Sequence, residues 1–308
     1  KAMTKQWLDM GLRPRAVTRD LDWGIDVPLE EDVWHGKCVY VWFEAVQGYL
    51  TCARIWAQNN ADHLEGGVNA WKRWWTVHED GTVPRHLYFL GKDNIPFHTV
   101  IWPAIILGLN QVAKGKTAGG EIELPGPGEL ALEANVPAMD YLMLAGGQFS
   151  KSRRHAVWLP SFLERYDPDM LRYYLSINMP EQGDTDFNWP DFVSKVNNEL
   201  NAAYGNFVHR VLTLGPRFPF DPGASPFARH DGHPSVKVHK EALETALEDI
   251  TNLLRRHRYK EALRRAMNVA QYGNQILQTA APWIHMKQPQ DGAEESLATL
   301  SFCWRIVR

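Results

Sequence analysis

Residues 86–98 read HLYFLGKDNIPFH, an apolar run that passes through a glycine and an aspartate into an apolar helical pattern. A continuous apolar run of this length, without strict alternation, is typical of a strand covered on both faces. Two similar runs are residues 38–43 and 141–144, and helices are predicted between the runs at about 44–58 and 95–109. Strands that alternate with helices predict an α/β fold with a parallel sheet.

The strand–glycine–helix order around Gly91 predicts a ligand site. In parallel sheets, ligands bind at the carboxyl ends of strands, and a helix N-terminus favours an anion. Gly91 permits close approach of a ligand to the backbone, and Asp93 can accept from an ammonium group or a ribose hydroxyl. An N-cap of the following helix is the alternative interpretation of Asp93.

Outside this region the chain changes character twice. Residues 114–137 are rich in Gly and Pro, which predicts a surface insertion. From Val193 to Leu214 apolar residues recur at steps of three and four, and further helices are predicted at 243–254 and 259–277, the latter stopped by Pro282. With a last helical segment at the end of the chain, this part predicts an antiparallel helical bundle.

Composition sets broad limits on the class of protein. The 308 residues are 44% hydrophobic and 22% charged, which is ordinary for a globular protein. The longest apolar stretch, residues 99–109, is too short to span a bilayer, and no signal peptide is visible, so a cytoplasmic protein without a membrane partner is expected. The three cysteines lie far apart, so neither a disulfide framework nor a CxxC zinc site is predicted.

The net charge of −3 hides a gradient along the chain. From Lys195 onward there are 15 Lys and Arg against 11 Asp and Glu, a balance of +4, while the remainder has 18 against 25, or −7. A polyanion would prefer the C-terminal part, although a solvated helix surface would have the same composition.

A second glycine-containing loop, residues 146–153, reads GGQFSKSR. It combines backbone freedom, hydroxyls and cations, which suits a triphosphate whose charge must be stabilised as pyrophosphate leaves.

This loop resembles the KMSKS signature of class I aminoacyl-tRNA synthetases, and further stretches resemble the methionyl-tRNA synthetases in particular. Together they cover nearly all of the chain, and they are TRD at 18–20, WGIDVP at 23–28, YVWFEAVQGY at 40–49, GKD at 91–93, WPA at 102–104, DMLRYYL at 169–175, TDFNW at 185–189 and APW at 281–283.

The resemblance implies a fold and a domain order. The expected fold is an α/β Rossmann-like parallel sheet, the second half of a class I synthetase catalytic domain, followed by an α-helical bundle that binds the anticodon. The expected boundaries are 1–140 for the end of the connective region and the second Rossmann half, 141–194 for the domain of the KMSKS-like loop, and 195–308 for the anticodon-binding helices.

By the same resemblance, the chain would act in ATP-dependent activation of L-methionine and its transfer to tRNA(Met), with Mg²⁺ bound to ATP and no metal site in this chain. The methionine pocket would be formed by seven residues: Trp42, Tyr49, Asp93, Phe97, His98, Ile101 and Trp102. Aromatic walls suit a polarizable thioether, and the Tyr49 hydroxyl could reject an aliphatic competitor. For Phe97 and Ile101 a plain core role is the alternative.

The ATP site would use Asp26, Gly91, Asp93, Ser150, Lys151 and Ser152. Lys151 and Arg19 would be the catalytic cations, the first on the phosphates and the second near the substrate carboxylate.

The CAU anticodon would be read by Asn206, Arg210, Pro282 and Trp283. Asn206 and Arg210 are four residues apart on one helical face, and Trp283 could stack on an unpaired base. The basic residues between Arg255 and Arg265 would contact the RNA backbone or remain a solvated surface.

Two departures keep alternatives open. Gln148 and Phe149 replace the first Lys and Met of KMSKS, and the HIGH motif of the first catalytic half is absent, so the chain alone is expected to be inactive unless that half is supplied. A non-catalytic tRNA-binding module derived from a synthetase is one alternative. A class I enzyme for Leu, Ile or Val is the other, although these amino acids do not require Trp42, Tyr49 and His98.

Overall fold

The computed structural model of the chain describes residues 2–116, 123–217, 232–285 and 293–307. They form two units, of which the first ends at Met139 and the second begins at Asp140. The finer division into three domains stays a prediction.

The first unit opens with two antiparallel strands, β1 (Thr18–Asp20) and β2 (Lys37–Val39). The predicted strand at residues 38–43 is therefore wrong in its second half, because the chain turns at Tyr40 and continues as helix α2 (Val41–Ala45). The prediction that this strand belongs to a parallel sheet is also wrong, because β2 pairs antiparallel with β1. An apolar run of six residues does not by itself distinguish a buried strand from a helix.

The run at residues 86–90 forms two short strands, β3 (His86–Leu87) and β4 (Leu90–Gly91). Both pair in parallel, β3 with β5 (Glu133–Asn135) and β4 with β6 (Ala138–Met139). The segment 114–137, expected as a surface insertion, therefore supplies a strand next to β3. Its residues 117–122 lie outside the described part of the chain.

Helices cover much of the rest of the first unit. They are α1 (Ala2–Asp9), α2, α3 (Gly48–Asn59), α4 (Lys72–Trp75), a π-helix at Phe97–Ile101 (the first π-helix), α5 (Trp102–Ala113), and 3₁₀ turns at Asp32–Trp34, Ala61–His63, Gly67–Asn69 and Lys92–Asn94. The predicted helices at 44–58 and 95–109 are thus present, with a 3₁₀ turn and a π-helix at the start of the second.

The core of the first unit gathers Val46, Tyr88, Trp102 and Ile106. Among the described residues, one helical run, 92–113, is long and apolar enough to cross a membrane by length and composition alone. Trp102 and Ile106 of this run are fully buried in the core. The core helix of a soluble protein passes the same test, so the run is weak evidence for a membrane span.

The second unit begins with a three-stranded sheet in the order β8-β7-β9. β7 (Leu142–Leu144) pairs antiparallel with β8 (Gly147–Gln148) and parallel with β9 (Thr185–Phe187). The apolar run at 141–144 therefore forms a strand as predicted, but in a sheet separate from the strands at 86–91.

Three helices follow or enclose this sheet: α6 (Leu159–Leu163), α7 (Pro168–Ile177) and α8 (Trp189–Lys195). The Asp167 side chain accepts from Asp169 N at the start of α7, and Asn188 accepts from Asp191 N at the start of α8. Each of these two helices also has proline in its first turn, where the missing N–H of proline removes one donor that would otherwise need an acceptor.

The remaining helices follow in the chain, and most of them contribute to one apolar core. They are a π-helix at Val196–Gly205 (the second π-helix), α9 (Asn206–Leu214), a 3₁₀ turn at Gly215–Arg217, α10 (Pro234–Arg255), α11 (Tyr259–Ala280), α12 (Pro282–His285) and α13 (Ala293–Val307). Phe207, Leu243, Leu277 and Cys303 lie in that core. The apolar periodicity predicted these helices, whereas the π-helix within the stretch 193–214 was not predicted.

Candidate functional site

Four predicted or neighbouring residues form a cluster in the first unit, here called the aromatic cluster: Tyr49, Tyr88, His98 and Trp102. The ring centroids of Tyr49 and Tyr88 are 4.9 Å apart, and that of His98 lies 5.6 Å from Tyr49 and 5.3 Å from Tyr88. The Tyr49 hydroxyl and His98 Nε2 are 2.9 Å apart. Aromatic rings at these distances attract one another, so the cluster is held by ring contacts and by a polar pair.

His98 is fixed at both ring nitrogens. Its Nδ1 lies 3.0 Å from the carbonyl oxygen of Asn94, which can only accept, so Nδ1 carries the proton. In neutral His98 the Nε2 atom is then the acceptor for the Tyr49 hydroxyl. The imidazole is 6% exposed. This arrangement fixes the Tyr49 hydroxyl in one position.

Tyr88 is the member of the cluster that sequence reasoning missed. Its hydroxyl accepts from Trp102 Nε1 at 3.0 Å, and burial raises its pKa to about 12. The only signal in the sequence was its place in the strand run, three residues before Gly91. Tyrosine there also fits a plain buried strand, so the signal was not specific.

The other predicted pocket residues lie on a different face. The rings of Trp42 and Phe97 are 5.6 Å apart, and Phe97 and Ile101 line a cavity of about 730 Å³ whose other walls include Tyr40 and Phe43. His98, which follows Phe97 in the same π-helix, is not among the residues that line this cavity.

The predicted polar residues of the first unit lie on exposed segments. Gly91 ends strand β4, and exposed Asp93 follows it in a 3₁₀ turn that leads into the first π-helix. Exposed Asp26 bridges to Cys38 through its backbone. The strand–glycine–helix order is therefore present as predicted, and the ligands of these residues stay predictions.

Arg19 has local partners in the structure. Its Nη1 donates to the carbonyl oxygens of Ala16 and Thr18 at 3.0 and 2.8 Å, and its guanidinium lies 3.8 Å from the centre of the Tyr40 ring. These contacts hold the guanidinium close to its own strand.

The KMSKS-like loop of the second unit is tied down at its base. The turn between β7 and β8 has positive φ at Ala145 and Gly146, and Gly146 N donates to Asp186 Oδ1 at 2.8 Å. His155 Nε2 donates to the carbonyl oxygen of Leu144 at 2.7 Å. A Cβ at Gly147 would lie only 3.1 Å from that nitrogen, so glycine makes room for the histidine.

Asp186 and His155 were not predicted as site residues. Asp186 did lie in the family-like stretch TDFNW, but nothing local to that stretch showed that it would hold the loop.

The tip of the loop presents hydroxyls and one exposed lysine. Ser150 Oγ accepts from Arg153 N and Nε, both at 3.3 Å, and lies 3.3 Å from Ser152 Oγ. Within the described parts of the chain, the Lys151 ammonium makes no hydrogen bond or ion pair. Phe149, Ser150, Lys151 and Trp158 are among the residues that line a cavity of about 430 Å³.

The predicted anticodon residues lie on one surface, here called the arginine surface: Asn206, Arg210 and Trp283. The Arg210 guanidinium lies 5.2 Å from the centre of the Trp283 ring, and Asn206 is exposed one turn earlier on α9. Pro282, also predicted, is fully buried at the start of α12, where it positions Trp283.

The basic residues of α10 and α11 are partly neutralised. Arg258 pairs with Glu261, and Arg265 pairs with Asp249 at 3.1 Å. A set of three or more His, Cys, Asp or Glu residues suited to a metal ion was not found in the described residues.

The sequence is similar to known synthetases. A sequence profile described as tRNA synthetases class I (M) matches residues 1–212. The methionine–tRNA ligase of Roseiflexus sp. (strain RS-1) is 42% identical over 291 residues, which cover 94% of this chain and 45% of the relative. That of Thermococcus onnurineus (strain NA1) is 40% identical over 304 residues, covering 98% and 38%. The chain spans less than half the length of these curated relatives.

The fold is also similar to solved structures. Mycobacterium tuberculosis methionyl-tRNA synthetase bound by methionyl-adenylate matches 98% of this chain and 51% of its own, with a TM-score of 0.66 and 21% identity. Its apo form gives a TM-score of 0.64. At this identity the likeness shows the fold alone. With the profile matching residues 1–212, more than half of its length, the chain belongs to the class I (M) family of tRNA synthetases.

Proposed function

We propose that this chain is part of a methionine–tRNA ligase that activates L-methionine with ATP and transfers it to tRNA(Met) in the cytoplasm. The observation that carries the proposal is the 2.9 Å contact between the Tyr49 hydroxyl and His98 within the aromatic cluster. It supports a small, sulfur-tolerant pocket, because aromatic walls contact a thioether favourably. The fixed Tyr49 hydroxyl adds a polar group that a purely aliphatic side chain would leave without a partner.

The proposed reaction needs no nucleophile from the protein. A carboxylate oxygen of methionine attacks the α-phosphorus of ATP, whose bond to the pyrophosphate oxygen breaks. A hydroxyl of the terminal ribose of tRNA then attacks the methionyl carbonyl, and AMP leaves. The protein contributes by positioning the reactants and by neutralising charge.

In this proposal each exposed polar segment has a separate task. Asp93 and Asp26 bind the amino-acid ammonium or the ribose, and Gly91 permits close backbone approach. Lys151, with Ser150 and Ser152, binds the phosphates of ATP, which arrives with Mg²⁺ as part of the substrate. The Lys151 side chain is exposed and makes no hydrogen bond or ion pair with the residues that the structure describes, which supports this role.

Arg19 is proposed to lie near the carboxylate. The carbonyl contacts of its Nη1 leave other N–H groups of the guanidinium for a ligand.

The fold elements support a matching division of labour. We propose that the parallel ladders β3–β5 and β4–β6 belong to the second half of a Rossmann-like domain, residues 1–140. Residues 141–194 would carry the phosphate-binding loop, and 195–308 would form the anticodon-binding helical bundle. The arginine surface supports the last assignment, because guanidinium and indole groups are typical platforms for unstacked bases.

The first test is methionine-dependent exchange between ATP and pyrophosphate. We expect exchange from a protein with the full length of the relatives and none from the 308-residue chain alone. Exchange with leucine, isoleucine or valine in place of methionine would contradict the proposed substrate.

The second test concerns the pocket itself. In the full-length protein, Tyr49→Phe keeps the ring and removes the hydroxyl. We expect the kcat/KM preference for methionine over norleucine to fall by about tenfold. Tyr204→Phe, at an exposed tyrosine of the second unit, serves as the matched control. An unchanged preference in Tyr49→Phe would remove the aromatic cluster from the methionine site.

One observation favours a second candidate, a tRNA-binding module without catalysis. Gln148 stands where the signature loop has its first lysine, so the loop has one cation fewer for the phosphates. A full-length protein that binds tRNA(Met) but gives no exchange would support this candidate over the enzyme.

A further inference from the structure

The Arg210 guanidinium is held by two side chains of α11. Its Nη1 donates to Asn274 Oδ1 at 3.4 Å, and its Nη2 donates to Gln278 Oε1 at 3.1 Å. Asn274 and Gln278 are four residues apart on α11, so both face the same helix α9. A guanidinium has five N–H donors in one plane. Because two of these donors bind side chains of α11, the orientation of the guanidinium plane is fixed.

Asn274 also has a second bond, which links it to the helix before Arg210. Its Nδ2 donates to the carbonyl oxygen of Ala203 at 2.8 Å, within the second π-helix. The one amide group therefore contacts both the guanidinium of Arg210 and the backbone seven residues earlier. The backbone and the side chain of this part of the chain are thereby fixed relative to each other.

The crossing of α9 and α11 is unusually close at this point. A Cβ at Gly273 would lie 2.4 Å from the Phe207 ring, so the ring rests directly on the backbone of α11. Phe207 is fully buried, and Gly273 precedes Asn274. Because the helices approach this closely, the Arg210 side chain on α9 comes within hydrogen-bonding reach of Asn274.

We propose that Asn274 is a positioning residue for base recognition, which holds the Arg210 guanidinium over the Trp283 ring with its free N–H groups directed outward. The inference rests on the proposed anticodon role of the arginine surface. The ligand class is an unstacked nucleotide base with acceptor atoms on its edge. Cation–π contact with Trp283 stabilises the same plane. Asn274 itself contacts no base and acts through Arg210.

The experiment compares two RNA hairpins, one whose loop carries CAU and one in which UUU replaces it. Affinities for both are measured with the full 308-residue chain by fluorescence anisotropy at one fixed salt concentration. The variants are Asn274→Ala, Gln278→Ala and Arg210→Ala, the double variant of Asn274 and Arg210, and Asn268→Ala. Asn268 lies exposed on the same helix α11 and is the matched control.

We expect Asn274→Ala to lower the preference for CAU over UUU by about tenfold, and Gln278→Ala by about threefold, since a hydrogen bond to a charged group is lost in each. Asn268→Ala should leave the preference unchanged. In the Arg210→Ala background, removing Asn274 should change the preference no further, because the two residues act as one unit.

Each of the other possible results contradicts either the positioning role of Asn274 or the proposed anticodon role. Equal losses of affinity for both hairpins in Asn274→Ala, or an unchanged preference, would overturn the positioning role. A further loss in the Arg210→Ala background would show that Asn274 acts independently. If the unmodified chain binds both hairpins equally, the proposed anticodon role fails, and this inference fails with it. Gln278 is exposed, so its substitution is tolerated more easily. If Asn274→Ala does not fold, Gln278→Ala still tests whether side chains of α11 orient the Arg210 guanidinium.

Discussion

The aromatic cluster of the first unit and the arginine surface of the second share a backbone feature, but they differ in how deeply their polar side chain is buried. Each is built where a π-helix runs directly into an α-helix, at Phe97–Ile101 before α5 and at Val196–Gly205 before α9. In the first, His98 is 6% exposed and both of its ring nitrogens are bonded. In the second, Arg210 is half-buried and donates to Asn274 and Gln278 through its two Nη atoms.

The comparison shows what a π-helix contributes and what it does not. It changes which residues face inward, and π-helices are frequent at functional sites. The elements that pack over the polar side chain decide whether it becomes a buried wall of a pocket, as His98 does, or part of an accessible surface, as Arg210 does. Tyr49 and Tyr88 cover His98, whereas Arg210 is supported by two side chains of α11 and by the Trp283 ring of α12.

The largest expected effect concerns the close helix crossing of the second unit. Gly273→Ala places a methyl group 2.4 Å from the Phe207 ring, so the helices must move apart. We expect the free energy of unfolding of this unit to fall by about 3 kcal/mol, as for an overpacked core. Urea denaturation followed by circular dichroism measures it.

The matched control is the helical glycine of the first unit. Gly108 lies in α5, and a Cβ added there meets nothing within 4 Å. Gly108→Ala should therefore be neutral or stabilise by up to about 1 kcal/mol. Similar losses at both glycines would mean that the crossing at Gly273 is not specially close.

An intermediate effect is expected at high pH in the first unit. Burial holds the pKa of Tyr88 at about 12, above its ordinary value of 10.0. Between these pH values the unfolded chain loses the proton and the folded chain keeps it, so stability falls as the pH rises. The pKa shift corresponds to a loss of about 2–3 kcal/mol in the free energy of unfolding, and this loss is absent below pH 10.

Denaturation of the unmodified chain and of Tyr88→Phe at pH 10 and pH 12 measures this difference. The variant should lose less stability across the interval by about that amount. Parallel losses in both proteins would show that the Tyr88 hydroxyl is accessible to water.

The smallest effect concerns the same residue at pH 7. Tyr88→Phe leaves the indole N–H of fully buried Trp102 without its acceptor. An unpaired buried donor costs about 1–2 kcal/mol, which thermal unfolding at neutral pH would detect. Tyr204→Phe, at an exposed ring, should change the stability by less than about 0.5 kcal/mol. If the two variants are equally stable, the Trp102–Tyr88 bond contributes nothing to the cluster.

Local patterns predicted the helices of the second unit well and the strands of the first unit less well. The steps of three and four between Tyr259 and Leu277 correctly gave helix α11, because a helix repeats within a short window. The run at residues 38–43 misled because half of it is helical. The two π-helices were not predicted, since their spacing differs from an α-helix by too little to appear in so few turns.

The candidate sites were predicted only in part. Tyr49, His98, Arg210 and Trp283 came from the family resemblance, and the structure brings them together in two pairs. Three supporting residues were missed: Tyr88 beside Tyr49, Asn274 beside Arg210, and Asp186 beside Gly146 of the KMSKS-like loop. Each lies far along the chain from the residue it supports, in an element whose own pattern fits an ordinary strand or helix.

The sequence by itself determined the apolar faces of the helices, the glycine turn after Leu144, and the residue types available for chemistry. These follow from periodicity and from backbone preferences, which act over a few residues. Only the tertiary structure decided which polar atoms meet, as with Tyr49 and His98, 49 residues apart, or Arg210 and Asn274, 64 apart. Such contacts depend on how closely two elements pack, and at Gly273 that closeness is set by a ring from another helix.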